Sequence, residues 1–318
     1  MHLVITGASS YIGEALTQLL ISRASLGGQP ITRLTRTDLQ LPTLAHKPEW
    51  VHDVIGDLCQ PDIQKQVLSA PTAYVFHLAS VTSRSAEENL NLALNVNLRA
   101  SVDLLEILRS SGSKPTFVFT SSIGVFGAPL PDQINDQTLI QPTLSYGTHK
   151  RMLELLIADY SRLGHIDGRT VRLSGVIARP LQAIGAFSTF SSDLLRHLAA
   201  GRPYTCPVSP DSTNWLISLP CCLEQLLHAA LTPTDAWPTS RAVTLPTQRV
   251  LTGDLVNAMA QLYGDHCLDL ITWQPQPHIE AQFGRWPKLE TPLADQLGFS
   301  HDQTIENLVS RALAPLSA

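Results

Sequence analysis

Cysteine, aromatic residues and charge are all scarce in this 318-residue chain. Its five cysteines, Cys59, Cys206, Cys221, Cys222 and Cys267, form no C-x-x-C pair, and an odd number cannot close into a full disulfide framework. That usage fits a reduced, intracellular protein. Charged residues supply 15% and aromatic residues 6% of the chain, against 44% hydrophobic residues. This balance excludes a disordered or solvating polypeptide and predicts a large core. A formal net charge of -5 leaves no basic footprint for nucleic acid or anionic lipid. No apolar run approaches membrane-spanning length, AYVFHLA and LNLALNVNL both being too short. The chain opens on an apolar stretch without the basic and apolar regions of a secretory leader, so a cytoplasmic location is expected. There is no H-E-x-x-H, and His77, His149 and His165 lack the grouping of metal ligands; no metal is expected.

What the sequence does contain is an alternation of strand and helix signals. Apolar strands are predicted at 2–6 (HLVIT), 31–36, 51–56, 73–79 and 116–122, and another at 168–176. Helical periodicity falls at 11–23 and 61–68, over one long stretch from 86 to 110, and at 145–164. Strands without period-two alternation, separated by helices, imply an α/β fold: a doubly wound parallel sheet covered on both faces. After residue 176 proline becomes frequent and the pattern loosens, with helices expected near 188–200, 221–231, 253–263 and 302–313. Two regions follow from this. Residues 1–176 form the nucleotide-binding domain, and 177–318 form mainly a smaller C-terminal substrate-binding lobe, with some segments returning to the first. The lobe is expected over the carboxyl ends of the strands, where open α/β sheets bind ligands.

The turn after the first strand, TGASSYIG, is short of glycine for a dinucleotide loop. Gly7 allows the tight turn and Gly13 lets the helix pack closely on the sheet, but Ser10 and Tyr11 stand where a middle glycine belongs. The helix start still offers backbone N–H groups to a pyrophosphate, with Ser9, Ser10, Tyr11 and Ile12 around it. Ser10 is small and able to donate, and the Tyr11 ring is expected to point away from the pyrophosphate or to cover it. Weaker binding than with three glycines is therefore expected. Asp38, after the second strand, is placed to accept from ribose hydroxyls and to repel a 2'-phosphate, which favours NAD. Arg36 blurs that preference, since an arginine there can pair with a phosphate. Asp57 and Leu58 follow the third strand toward the adenine edge, and Leu78, Ala79 and Ser80 end the fourth, where small residues let the chain pass close to a cofactor.

The strongest chemical signal is Tyr146-Gly-Thr-His-Lys150 with Ser122 at the preceding strand end. Four-residue spacing puts Tyr146 and Lys150 on one helix face. An ammonium beside a phenol stabilises the phenolate, so Tyr146 acts as a general base and Ser122 bonds the same substrate oxygen. Alone, Y-x-x-x-K is a weak pattern; after a nucleotide-type loop and a strand-end serine it points to hydride transfer from an alcohol.

TGASSYIG, Asp38, GDL at 56–58, HLAS at 77–80, NVN at 95–97, FTSSIGVFG at 119–127, SYGTHK at 145–150 and LGF at 297–299 together resemble the extended branch of the short-chain dehydrogenase/reductase family. The resemblance spans nearly the whole chain and implies a Rossmann-type sheet, NAD as cofactor and a homodimer. It also implies that Tyr146 exchanges the proton, that Lys150 lowers its pKa and holds the nicotinamide ribose, and that Asn97 lies near the cofactor. Further stretches, CPVSPDSTNWLISLP at 206–220 and GRWPKLETPLADQLGF at 284–299, are similar to branch members that oxidise a small sugar acid next to its carboxylate. RLSGVIARP at 172–180 departs from their pattern beside the substrate. Ser80, Thr82, Ser122, Ile123, Tyr146 and Arg179 are the expected substrate contacts, Arg179 receiving the carboxylate. Asn214 and Trp215 are placed on the lid side. Nucleotide-sugar epimerases use the same Ser-Tyr-Lys set, but RLSGV lacks their asparagine. Ile123 likewise replaces the acidic residue of dehydratases. A nucleotide-binding protein without catalysis is a third reading, and it commonly loses the Tyr or Lys that this chain keeps.

Overall fold

The protein is described here by a computed structural model covering residues 1–181 and 189–314. Strand β1 (His2–Thr6) leads through the Gly7 turn into helix α1 (Tyr11–Arg23). There follow β2 (Arg33–Asp38), β3 (Val51–Ile55), α2 (Pro61–Val67), β4 (Tyr74–His77), α3 (Ala100–Ser111) and β5 (Thr116–Ser122). Helix α4 (Ser145–Arg162) and strand β6 (Asp167–Leu173) complete this half. Beyond it come β7 (Gly175–Val176), α5 (Phe190–Ala199), β8 (Thr213–Ile217), α6 (Leu219–Leu231), β9 (Ala242–Thr244) and β10 (Gln248–Leu251).

Seven of these strands form one all-parallel sheet in the order β9-β6-β5-β4-β1-β2-β3. Chain order reverses between β1 and β4, which opens a crevice at the carboxyl ends of those strands. In β1 the residues divide between two cores. Leu3 and Ile5 pack with Leu16 and Leu20 of α1 and Leu223 and Leu226 of α6, while Val4 packs with Leu104, Leu105 and Leu153 on the other face. That is why the strand reads as an unbroken apolar run: both faces are covered. Late segments that return to the sheet include α6, on the α1 side, the edge strand β9, and Ala294 and Phe299, which pack into the same core as α6.

A second sheet, β7-β8-β10, carries the lobe. The stretch 168–176, expected as one strand, is therefore two. It leaves the large sheet at Leu173, and Gly175–Val176 pairs with Leu216–Ile217 instead. The stretch 86–110 is likewise not one helix. It breaks at Asn89 and passes through a π-helical turn, Leu94–Arg99, before α3. Asn97 lies in that turn and is buried, its Oδ1 accepting from Val81 N at 2.8 Å and its Nδ2 donating to Val81 O at 3.1 Å. The π-turn rotates Asn97 onto the segment after β4, a use of such turns that recurs at functional sites. The helix expected near 188–200 is described from Phe190 on, and the last one runs Ile305–Leu313 behind a Thr304 cap. No helix among the described residues is long and apolar enough to cross a membrane.

Candidate active site

The crevice at the strand ends continues into one cleft of about 470 Å³. The α1 start, the β5 end, α4 and the lobe all contribute to it, bringing Tyr11, Ser122, Tyr146, Lys150 and Arg179 together.

At the α1 start, Gly7 has φ +71°, and a Cβ there would lie 2.6 Å from Ala79 N. A Cβ on Gly13 would sit 2.2 Å from Gly7 O. Both positions exclude a side chain by contact with backbone that cannot move aside. Ser10 is committed to the helix: its Oγ donates to Gly7 O at 2.7 Å and accepts from Gly13 N at 3.1 Å. It is thus an N-cap, not a free donor. The Tyr11 ring points away from the turn, its hydroxyl donating to Ile177 O and Ala178 O at 3.2 and 3.1 Å. Tyr11, standing where a middle glycine belongs, thereby ties the nucleotide half to the lobe. Arg196 Nε donates to the same Ala178 carbonyl at 3.0 Å, and Ala178 itself has φ +59°.

As the first two helical residues, Tyr11 and Ile12 have no intrahelical acceptor for their N–H groups, and both line the cleft. Their amides fit an anion such as a pyrophosphate. Asp38, at the end of β2, accepts from Ser9 N at 3.0 Å and Leu39 N at 2.8 Å, which fixes its carboxylate beside the turn with lone pairs to spare. Arg36, considered as a phosphate partner, is 2% exposed and paired with Asp53 at 2.6 Å. Its guanidinium is taken up by Asp53 and the Pro42 carbonyl. Asp57 accepts from Cys59 N at 2.9 Å and caps the turn after β3, with Leu58 packed against the core. Leu78 and Ser80 line the cleft, and Ala79 approaches Gly7. His77 is an internal pin, bonded to Thr6 Oγ1 at 2.7 Å and Ser101 Oγ at 2.8 Å. Burial pushes its pKa down to about 3, so it stays neutral. No group of three His, Cys, Asp or Glu residues among those described is placed to hold a metal.

Ser122 ends β5, and its Oγ accepts from Gly124 N at 3.1 Å. Tyr146 sits in the first turn of α4. A Cβ on Gly147 would lie 2.3 Å from Gly124 O, so the small residue after the tyrosine seats the helix against the β5 end. Lys150, one turn on, is buried, donates to Thr120 O at 2.7 Å and lies 5.5 Å from the Tyr146 ring centre. Burial pushes Lys150 down to about 7, with the Glu154 carboxylate pulling the other way. Burial also raises Tyr146 above the ordinary phenol range, while the Ser122 hydroxyl and the Arg179 charge draw it back. Burial dominates that balance, so the phenol is harder to ionise than Y-x-x-x-K spacing alone suggests.

Ser80, Thr82, Ser122, Ile123, Tyr146 and Arg179 all line the cleft. Arg179 Nε donates to Val176 O at 3.2 Å, and its guanidinium lies over the Tyr11 ring at 5.9 Å. Trp215 is core-like, with its indole donating to Pro287 O at 2.8 Å, yet one edge reaches the cleft. Sequence reasoning missed a buried charge cluster behind the site. Glu154 accepts from Arg172 Nε and Nη2 at 2.9 Å each, from Arg151 at 2.9 Å and from Ser121 Oγ at 2.6 Å. The signal was available: Glu154 lies four residues after Lys150 and eight after Tyr146, a carboxylate on the same buried stripe.

Residues 3–215 match the NAD dependent epimerase/dehydratase family. Over 316 residues the chain is 35% identical to the D-erythronate dehydrogenase of Cupriavidus necator, covering 97% of each. The D-erythronate dehydrogenase of Haemophilus influenzae is 31% identical over 312 residues, 98% of each. A crystal structure described as the nucleoside-diphosphate-sugar epimerase from Agrobacterium tumefaciens aligns with a TM-score of 0.92 at 33% identity, covering 98% of this chain and 92% of that one.

Proposed function

This chain belongs to the NAD-dependent epimerase/dehydratase family, and from that premise we propose that it is an NAD-dependent dehydrogenase of a small sugar acid. It oxidises the hydroxyl next to the carboxylate, as in D-erythronate, to the 2-oxo acid. One observation carries this reading: free helix-start amides, the Ser122-Tyr146-Lys150 set and a cationic Arg179 open onto a single cleft.

NAD, when bound, supplies the acceptor for the hydride. The chain's own residues bind, orient and move a proton. Tyr11 and Ile12 amides hold the pyrophosphate, with Gly7, Ser9, Ser10 and Gly13 shaping the turn. Asp38 takes the ribose hydroxyls, Asp57 and Leu58 face the adenine side, and Leu78, Ala79, Ser80 and Asn97 line the path to the reacting end. Ser122 donates to the substrate oxygen and Tyr146 accepts its proton; Lys150 holds the nicotinamide ribose and stabilises the phenolate. Ser80, Thr82 and Ile123 wall the substrate, and Arg179 meets its carboxylate with charge-assisted hydrogen bonds. Because Arg36 is consumed by Asp53, it does not offset the repulsion of a 2'-phosphate by Asp38.

Leu90, Leu92, Met152 and Leu155 expose apolar side chains on and near α4, which supports a homodimer through this face. A dimer mass in solution that falls to the monomer in Leu155→Glu is the expected result.

The Agrobacterium relative's description favours a second reading, a nucleotide-sugar epimerase. A screen of NAD reduction across aldonic acids, neutral polyols and nucleotide sugars separates the two. Reduction with short aldonic acids, and at least tenfold preference for NAD over NADP, is expected. Arg179→Met is expected to raise KM for acids by about 10- to 100-fold, the loss of one charge-assisted contact, and to spare polyols. Conversion of nucleotide sugars without net NAD reduction removes the dehydrogenase reading.

A further inference from the structure

One polar group in the cleft has no partner among the described residues and no part in the chemistry above. Asn214 is 7% exposed, and its side-chain Nδ2 makes no hydrogen bond. Burying an amide unpaired costs stability, and each native case calls for a reason. The flanking polar groups of β8 are satisfied: Thr213 Oγ1 donates to Trp286 O at 2.9 Å and the Trp215 indole to Pro287 O at 2.8 Å. Asn214 instead lines the cleft that holds Ser122, Tyr146 and Arg179.

Strand register sets Asn214 apart from the cationic end. Gly175 pairs with Leu216 and Val176 with Ile217 in parallel, so Asn214 lies three residues before the partner of Val176 along β8. Arg179 comes after this pairing, and its side chain folds back to the Val176 carbonyl. Three residue levels separate the two groups, on the order of 10 Å along the strands. A short carbon chain with a carboxylate at Arg179 spans that distance. A neutral amide donor at its far end suits a neutral oxygen, because the carboxylate's charge is already met by the guanidinium.

We propose that Asn214 is a specificity-determining residue that donates to a substrate hydroxyl beyond the reacting carbon, so that the site selects hydroxylated short-chain acids over their deoxy analogues. This rests on the sugar-acid reading above. The selection works through the stranded donor. A hydroxyl seated against Asn214 satisfies Nδ2, whereas a methylene there leaves the buried amide unpaired, so only the hydroxylated substrate gains the bond. The residue touches neither the migrating proton nor the hydride.

The test compares kcat/KM for D-erythronate and 2-hydroxybutyrate in the wild type, Asn214→Leu and Asn214→Asp. The wild type is expected to favour D-erythronate by about 100-fold or more. Asn214→Leu should bring that ratio below about tenfold, by losing activity on D-erythronate while leaving 2-hydroxybutyrate nearly unchanged. Asn214→Asp keeps an acceptor for a hydroxyl and should retain part of the preference. The thermal shift produced by NAD, retained in both variants, shows that the fold and cofactor site are intact. An unchanged ratio in Asn214→Leu with that shift retained overturns the assignment and leaves the dehydrogenase reading standing. Equal loss on both acids in Asn214→Asp also overturns it, since that is the signature of an amide facing the carboxylate. A wild type that oxidises neither acid removes the sugar-acid reading and this assignment with it.

Discussion

Tyr146→Phe is expected to lower kcat by about two to four orders of magnitude, the usual worth of a positioned general base. Phenylalanine keeps the ring, and with it the packing beside Gly124 and over the Lys150 ammonium, which lies 5.5 Å from the ring centre. Only the hydroxyl is lost. In the proposed mechanism, the Ser122 Oγ then still reaches the substrate oxygen but has no route for the proton. Lys150 stays tied to the Thr120 carbonyl, so the cofactor cradle is undisturbed. The NAD-induced thermal shift should therefore match the wild type. Single-turnover rates distinguish lost chemistry from slowed product release. A variant that retains a tenth of the wild-type rate removes Tyr146 as the base.

The same pair fixes the pH dependence. Burial raises Tyr146 and lowers Lys150 to about 7, so the first proton this neighbouring pair gives up leaves near 7. Losing that proton generates the basic form of the pair. kcat/KM for alcohol oxidation should rise with pH through about 7 and then level off. Stability follows with a definite sign. The folded lysine lies below its ordinary value, so between about 7 and 10.5 the unfolded chain binds more protons than the folded one. Unfolding free energy gains as pH rises across that window and is lost as pH falls through it.

The sequence made the sheet legible because each strand is covered on both faces and so carries an uninterrupted apolar run. It made Tyr146, Lys150 and Ser122 legible because their spacing along one helix and at one strand end is local. What it concealed was set by long-range partners. That Arg36 would be absorbed by Asp53 depends on β2 and β3 being neighbours, which no local pattern states. The destination of Tyr11 depends on carbonyls 166 and 167 residues away. Likewise 168–176 reads as one apolar strand, and only the competing pairing with Leu216 and Ile217 splits it. The π-turn at Leu94–Arg99 leaves the apolar periodicity nearly intact, so 86–110 reads as one continuous helix.

Glu154→Ala is expected to destabilise the protein by about 3–5 kcal/mol, the cost of breaking one side of a buried ion pair. The carboxylate is fully buried and satisfies Arg172 at both Nε and Nη2. Arg172 is itself 7% exposed, so removing Glu154 strands a guanidinium where water does not reach. Ser121 Oγ loses its acceptor as well, one residue before Ser122. A fall of that size is a large part of a typical domain's stability and should shift the denaturant midpoint with the slope unchanged. Glu154→Gln keeps the shape and one acceptor, and is expected to cost less. It also tests an electrostatic role, because Glu154 draws the Lys150 pKa upward against burial. With that charge gone, the rising limb of the rate profile should move to lower pH. If Glu154 only braces α4 against β6, the glutamine variant lowers the midpoint and leaves the limb where it was. A joint shift identifies the carboxylate as the group that keeps Lys150 charged near neutrality.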